Sequence, residues 1–220
     1  MPRTVTLTFD NGPTADVTSH VLDCLAKHRI KSTFFVIGKQ AETGDGGALM
    51  QRASAEGHWI GNHTYSHTTP LGELEAAAAV WEIERAEQVL SRLNQPRRLF
   101  RPYGRGGRIG HHLLHPAAVA TLLAGNYTCV LWNSVPGDWR DPDGWVHRAL
   151  EEARTADWSL IVLHDVPSGA MLHLGRFLAQ LREEDVEIRQ EFPARCTPIV
   201  DGRVVQPIEQ YVANAPVESS

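Results

Sequence analysis

Hydrophobic and polar positions alternate from the start of the chain. Thr4 to Phe9 interleaves threonines with Val5, Leu7 and Phe9, the pattern of a buried strand, and Gly12-Pro13 breaks it at once. Between Ala15 and Arg29 the apolar residues Val17, Val21, Leu22 and Leu25 recur at helical spacing. Ser32–Ile37 predicts a second strand ended by Gly38. Gly44–Gly47 predicts a connector into a short helix closing at Gly57. Trp59–Asn62 predicts a third strand. Gly72–Leu93, rich in Ala, Glu and Leu, predicts the longest helix, stopped by Asn94 and Pro96.

The second half repeats the rhythm. Leu99-Phe100, Thr128–Trp132, Ser159–Leu163 and Glu187–Phe192 read as strands. Ala117–Ala124, a segment capped by Asp143 and running through Ala153, and Ala170–Glu183 read as helices. Asp201-Gly202 between two short apolar runs predicts a small hairpin. Strands alternating with helices imply parallel βαβ units, and six or seven of them in ~200 residues point to an α/β fold, a distorted (β/α) barrel of about seven units. No linker divides the chain, so residues 1–212 are expected to form a single domain and 213–220 a frayed tail.

Composition narrows the function. The net charge of −5 disfavours a nucleic-acid partner, and the absence of a run of 18 apolar residues argues against a membrane span. With no charged-then-apolar leader the expected location is cytoplasmic. Three widely spaced cysteines offer no disulfide framework.

Chemistry-bearing residues gather at the predicted strand ends: Asp10 and Asn11 after the first, His63 after the third, Arg101 after the fourth and His164 after the sixth. In α/β proteins that rim carries the active site. His63-Thr-Tyr-Ser-His67 sets two imidazoles four residues apart, which on a helical turn puts both on one face. That suits a divalent metal, or equally a capped turn with two partly exposed histidines. Asn11 is a third candidate ligand. Asp10 and His164 have the chemistry of a base and an acid flanking a scissile bond. His111, His112 and His115 form a second cluster, read as solvated surface. Arg97, Arg98, Arg101, Arg105 and Arg108 form either a solvated loop or a collar for anionic substrates.

TFDNGP at Thr8–Pro13, HTYSH at His63–His67, RPYG at Arg101–Gly104, GDW at Gly137–Trp139 and LHD at Leu163–Asp165 occur in that order. In this the chain resembles the polysaccharide deacetylase (NodB homology) family of metal-dependent carbohydrate esterases, over about three quarters of its length. The resemblance implies a distorted (β/α) barrel and a hydrolase of non-peptide C–N bonds that deacetylates an N-acetylated saccharide by metal-assisted attack of water. It implies Asp10 as general base, Arg101 as the residue orienting it, the Tyr103 N–H as oxyanion donor and His164 as general acid. It implies Asn11, His63 and His67 as ligands of a divalent metal, zinc. Trp139 and Leu163 would line the substrate pocket, with Asp138 beside them.

Two departures from the family pattern matter. Asn11 stands where the family has an aspartate, which removes the only charge from the ligand set and weakens the metal. Val135 stands where an aspartate commonly tunes the acid histidine, a part for which Asp138 is a partial substitute. Two rivals remain open: a metal-independent amidohydrolase of the same fold acting on a ureide or cyclic amide, and a non-catalytic carbohydrate-binding protein. The expected partner is a small saccharide or another acylated small molecule.

Overall fold

The computed structural model describes residues 3–93 and 95–214. Its strands are β1 (Thr4–Asp10), β2 (Thr33–Val36), β3 (Trp59–Asn62), β4 (Leu99–Phe100), β5 (Thr128–Cys129), β6 (Trp158–His164), β7 (Glu187–Arg189), β8 (Ile199–Val200) and β9 (Arg203–Val204). The α-helices are α1 (Ala15–His28), α2 (Gly38–Glu42), α3 (Gly46–Ala55), α4 (Ala76–Leu90), α5 (Pro116–Ala124), α6 (Trp145–Thr155) and α7 (Leu174–Glu183).

β1 is the hub. One of its edges pairs with β6 over all seven residues. The other is shared, β7 taking Thr4–Thr6 and β2 taking Thr8–Asp10. From β2 the sheet continues in parallel through β3, β4 and β5. Past β5 the chain stays extended, and Ser134 bridges Ile161 of β6, its carbonyl accepting from the Val162 N–H at 3.0 Å. That bridge curls the sheet round on itself, giving the distorted (β/α) barrel the alternation predicted. β8 and β9 add the predicted hairpin in antiparallel sense, so the sheet as a whole is mixed.

Both faces of β1 are buried. Val5, Leu7 and Phe9 join the core formed with Leu22 and Leu25 of α1, Trp145 of α6 and Phe177 of α7. Thr8 and Asp10 point the other way, into the barrel, where both accept hydrogen bonds from Arg101. Alternation that ordinarily marks a half-solvated strand here faces two apolar cores, the barrel interior being lined by Phe35, Leu160 and Val162 with Thr8, Asp10 and Arg101 set among them.

Several boundaries differ from the expected ones. α4 starts at Ala76 because Leu71–Glu73 forms a separate 3₁₀ turn. A Cβ on Gly72 would stand 2.5 Å from the His111 carbonyl, so this turn is packed against the later loop and is not free to continue a helix. α4 ends at Leu90. Asn94, expected to stop it, lies outside the described residues, as does the expected frayed tail beyond residue 214. Gly38 opens α2 instead of only ending a strand, and five residues are too few for a period to register. Asp143 does not cap α6. The cap is Gly144, whose N–H donates to Asp141, while Asp143 is exposed beside His173. β5 and β7 stop short of their predicted ends. Among the described residues no helix is long and apolar enough to cross a membrane.

Candidate active site

The carboxyl ends of β1, β3, β4 and β6 open on one pocket of about 170 Å³, lined by Asp10, Asn11, His63, His67, Tyr103, Trp139 and His164 among others. Drug-sized sites run to about 300–1,000 Å³, so this one takes a small group projecting from a larger substrate.

Arg101 lies beneath the floor, with none of its surface exposed. It donates from Nη1 to Asp10 Oδ1 at 2.8 Å and to Thr8 Oγ1 at 2.7 Å, from Nε to the Val130 carbonyl at 3.1 Å and from Nη2 to that of Leu131 at 3.3 Å. A guanidinium fork is the side chain suited to so many fixed acceptors. Asp10 is thereby held by one oxygen, and its Oδ2 stands 3.6 Å from His63 Nε2. Asp10 and His164 are register partners on neighbouring strands, which places carboxylate and imidazole side by side at the rim.

His63 follows β3, its N–H donating to the Val36 carbonyl. Its Nδ1 sits 2.8 Å from the Arg101 carbonyl, which can only accept, so the proton is on Nδ1 and the Nε2 lone pair is left toward the pocket. The His67 ring lies 4.6 Å from that of His63 and 4.0 Å from Tyr103. Burial pushes both histidines down to about 3, so both are neutral near pH 7, the form that donates to a metal.

The spacing of four suggests a helical turn, but these two rings do not stand on one. Residues 63–67 form a loop in which Thr64 and His67 take positive φ. What holds the loop is Glu82 of α4, whose Oε2 accepts from the Tyr65 and Ser66 N–H groups at 2.8 Å each. Sequence reasoning passed over Glu82. Its signal is a carboxylate inside the buried stripe Ala79, Ile83, Ala86, a position that otherwise calls for an apolar side chain.

The residues fit a divalent metal by one independent sign. Asn11 Oδ1 is buried with no hydrogen-bond partner among the described residues, in a pocket it shares with the two neutral histidines. Among the described residues no three His, Cys, Asp or Glu side chains gather, so any metal here relies on the carboxamide. Next in the chain, a Cβ on Gly12 would meet the Asp165 carboxyl at 2.0 Å, so only glycine fits this turn.

His164 Nδ1 lies 2.9 Å from Asp138 Oδ1, and its backbone N–H donates to Oδ2 at 2.8 Å. Burial acts to lower the imidazole's pKa. The Asp138 hydrogen bond and charge, with Asp10 and Asp165, outweigh it and the net shift is upward. Asp138 is fully buried and absent from the pocket lining, so it is the partner of His164 and not a substrate-binding residue. It occupies the role that Val135, a pocket-wall residue, does not fill.

Leu163 is likewise corrected. In register with Phe9, it faces the helices and the core, while Val162, in register with Thr8, takes the pocket wall. Trp139 does line the pocket, its ring 4.6 Å from that of His164. The Tyr103 N–H donates to no acceptor among the described residues, which leaves it available to a developing oxyanion.

His111, His112 and His115 do not converge on this site. His115 accepts from the Ala117 N–H at the start of α5, and His111 meets the Val212 carbonyl.

One consequence concerns pH. If His164 gives up a proton in the reaction, activity falls as pH rises through its pKa. Asp138→Asn removes the main group raising that pKa, so the alkaline limb of the kcat profile is expected to move to lower pH. The check is the profile of both proteins from pH 6 to 10. An unmoved limb would exclude His164 as the group titrating there.

The chain has relatives among known proteins. Residues 1–113 match the polysaccharide deacetylase family model. The chitooligosaccharide deacetylase of Sinorhizobium fredii is 34% identical over 165 residues, covering 73% of this chain and 71% of that protein. A peptidoglycan-N-acetylglucosamine deacetylase of Bacillus cereus is 33% identical over 169 residues, 75% of this chain and 57% of its own. The structure of T48 deacetylase with substrate superposes with a TM-score of 0.71 at 27% identity, covering 86% of this chain and 88% of the other. A matched family model over half the chain, two relatives a third identical and a shared barrel lead to one conclusion: the protein belongs to the polysaccharide deacetylase family.

Proposed function

We propose that residues 1–212 form a single hydrolytic domain that removes the N-acetyl group from a saccharide, acting in the cytoplasm on a substrate small enough to be soluble. The observation that carries this reading is the pairing of Asp10 with His164 across β1 and β6, at the mouth of a pocket sized for an acylamino group.

In this mechanism Asp10, its other oxygen fixed by Arg101, takes the proton of the attacking water through Oδ2. The Tyr103 N–H faces the acyl oxygen as it gains charge. His164, its pKa raised by the Asp138 carboxylate, donates to the departing amine nitrogen. Trp139 packs against the acyl methyl group or a sugar face. Asn11 Oδ1, His63 Nε2 and His67 would hold a divalent ion, zinc being suited to imidazole donors. Bound there, such an ion supplies Lewis-acid polarisation of the acyl oxygen and a more acidic water.

The test is acetate release from N-acetylated oligosaccharides, with and without prior chelation. Release that is lost on chelation and restored by zinc is the expected result. Release that survives exhaustive chelation would replace this reading with the metal-independent amidohydrolase. Saccharide binding without release would replace it with the carbohydrate-binding protein.

A related prediction isolates the neutral ligand set. Asn11→Asp adds one negative charge to a site with no other charged ligand, so zinc affinity measured by calorimetry is expected to rise by about tenfold or more. Equal affinities would mean that residue 11 is not a ligand.

A further inference from the structure

The segment from Gln88 to Gly137 contains no Asp or Glu and six arginines, in a chain whose net charge is −5. It supplies the pocket wall from Pro102 to Gly107 together with Trp132 and Val135. The cations of this wall are not equivalent. Arg101 is consumed by Asp10 under the floor. Arg105 lines the pocket but is tied to Glu73 by two bonds, at 3.0 and 2.6 Å.

Arg140, just past the segment, differs. It is exposed, and among the described residues it has no carboxylate within ion-pair distance, its neighbour Asp141 being taken by Arg148. Its guanidinium carbon stands 5.7 Å from the centre of the Trp139 ring, the same ring that meets His164 at 4.6 Å. Its Nη2 reaches to 3.8 Å from where a Cβ on Gly106 would be, so it spans from the Trp139 side of the pocket to the opposite loop. Among the described residues Asp10 is the one carboxylate in the pocket lining, and it is neutralised by Arg101.

We infer that Arg140 is a specificity-determining residue that selects saccharides carrying an oxyanion, carboxylate or phosphate, on the part of the substrate that lies just outside the pocket. The inference rests on the deacetylase reading of the pocket itself. With the acylamino group between Asp10 and His164 and a sugar face on Trp139, the neighbouring portion of the substrate emerges beneath the guanidinium. The fork of Arg140 matches either oxyanion in two parallel hydrogen bonds. An arginine-rich, carboxylate-free wall also draws anions toward a protein that otherwise repels them.

The experiment compares kcat/KM on three N-acetylhexosamine substrates: a neutral disaccharide, a disaccharide with a carboxylate on the neighbouring ring, and a sugar phosphate. At least one anionic substrate is expected to be preferred by about tenfold, the worth of one charge-assisted pair, with the preference shrinking as salt is raised. Arg140→Ala should collapse the ratio toward one, and Arg140→Lys should retain part of it. The substrate whose preference collapses identifies the oxyanion. Equal kcat/KM for all three, or a preference that Arg140→Ala leaves intact, overturns the inference while leaving deacetylation standing. If none is turned over, the deacetylase reading fails, and calorimetric titration of the same three compounds still decides the inference. Tighter anion binding that is lost in Arg140→Ala supports it, and its absence refutes it.

Discussion

Replacing Arg101 by leucine is expected to lower the unfolding free energy by about 3–5 kcal/mol and to abolish acetate release. The side chain has no solvent exposure and satisfies four acceptors at once: Asp10, Thr8 and the carbonyls of Val130 and Leu131. Burial draws the guanidinium's pKa down from its ordinary value, and the Asp10 carboxylate opposes that fall. Leucine would leave Asp10 charged, buried and unpaired, which is the costly half of a broken buried ion pair, and would strand two carbonyls besides. It would also remove the cation resting 4.0 Å over the Phe35 ring. Arg101→Lys keeps a charge but not the fork, and should fall between. Urea unfolding measures this directly: a lower midpoint at unchanged slope is the predicted signature, and an unmoved midpoint would show that the cluster contributes no net stability.

The second large effect is on rate. His164→Ala is expected to reduce kcat by about 10²–10⁴-fold with little change in KM, the usual loss when a proton donor is removed. His164→Gln should be equally slow. Stability should fall as well, because Asp138, fully buried, keeps the residue 164 backbone N–H but loses its imidazole partner. The comparison with Asp138→Asn is what makes the result specific. That variant retains the imidazole and should move the pH profile more than the maximum. A His164→Ala enzyme within a few-fold of the parent would remove His164 from the proton-transfer step.

Much of this arrangement is written locally in the chain. Strands appear where apolar runs end in Gly or Pro, and the residues that follow them are the ones that meet around the pocket. That works because the strand ends of a parallel barrel share one rim whatever the loops do. Local pattern failed where the deciding partner lies elsewhere in the sequence. Nothing near His63 tells that Glu82 accepts two backbone N–H groups of its loop, and the i, i+4 spacing suggested a helix for a segment that is none. Leu163 and Val162 are both plausible wall residues until the register of β6 on β1 fixes which faces inward. Asp138 reads as a pocket residue beside Trp139 until the return of His164 beneath it shows both oxygens engaged. Asp143 reads as the cap of α6, but the helix begins after Gly144, whose N–H donates to Asp141 and not to Asp143.

The hub strand also has a consequence in time. β1 emerges first, yet the partner covering one entire edge of it begins at Trp158. At a synthesis rate of roughly 5–20 residues per second, about 7–30 seconds pass during which that edge has no native mate. An unpaired strand edge is a template for foreign pairing. The threonines at positions 4, 6 and 8 and the carboxylate of Asp10 make the nascent strand half polar, so the side chains that later organise the barrel interior also keep its first strand from being an uninterrupted apolar edge while it waits.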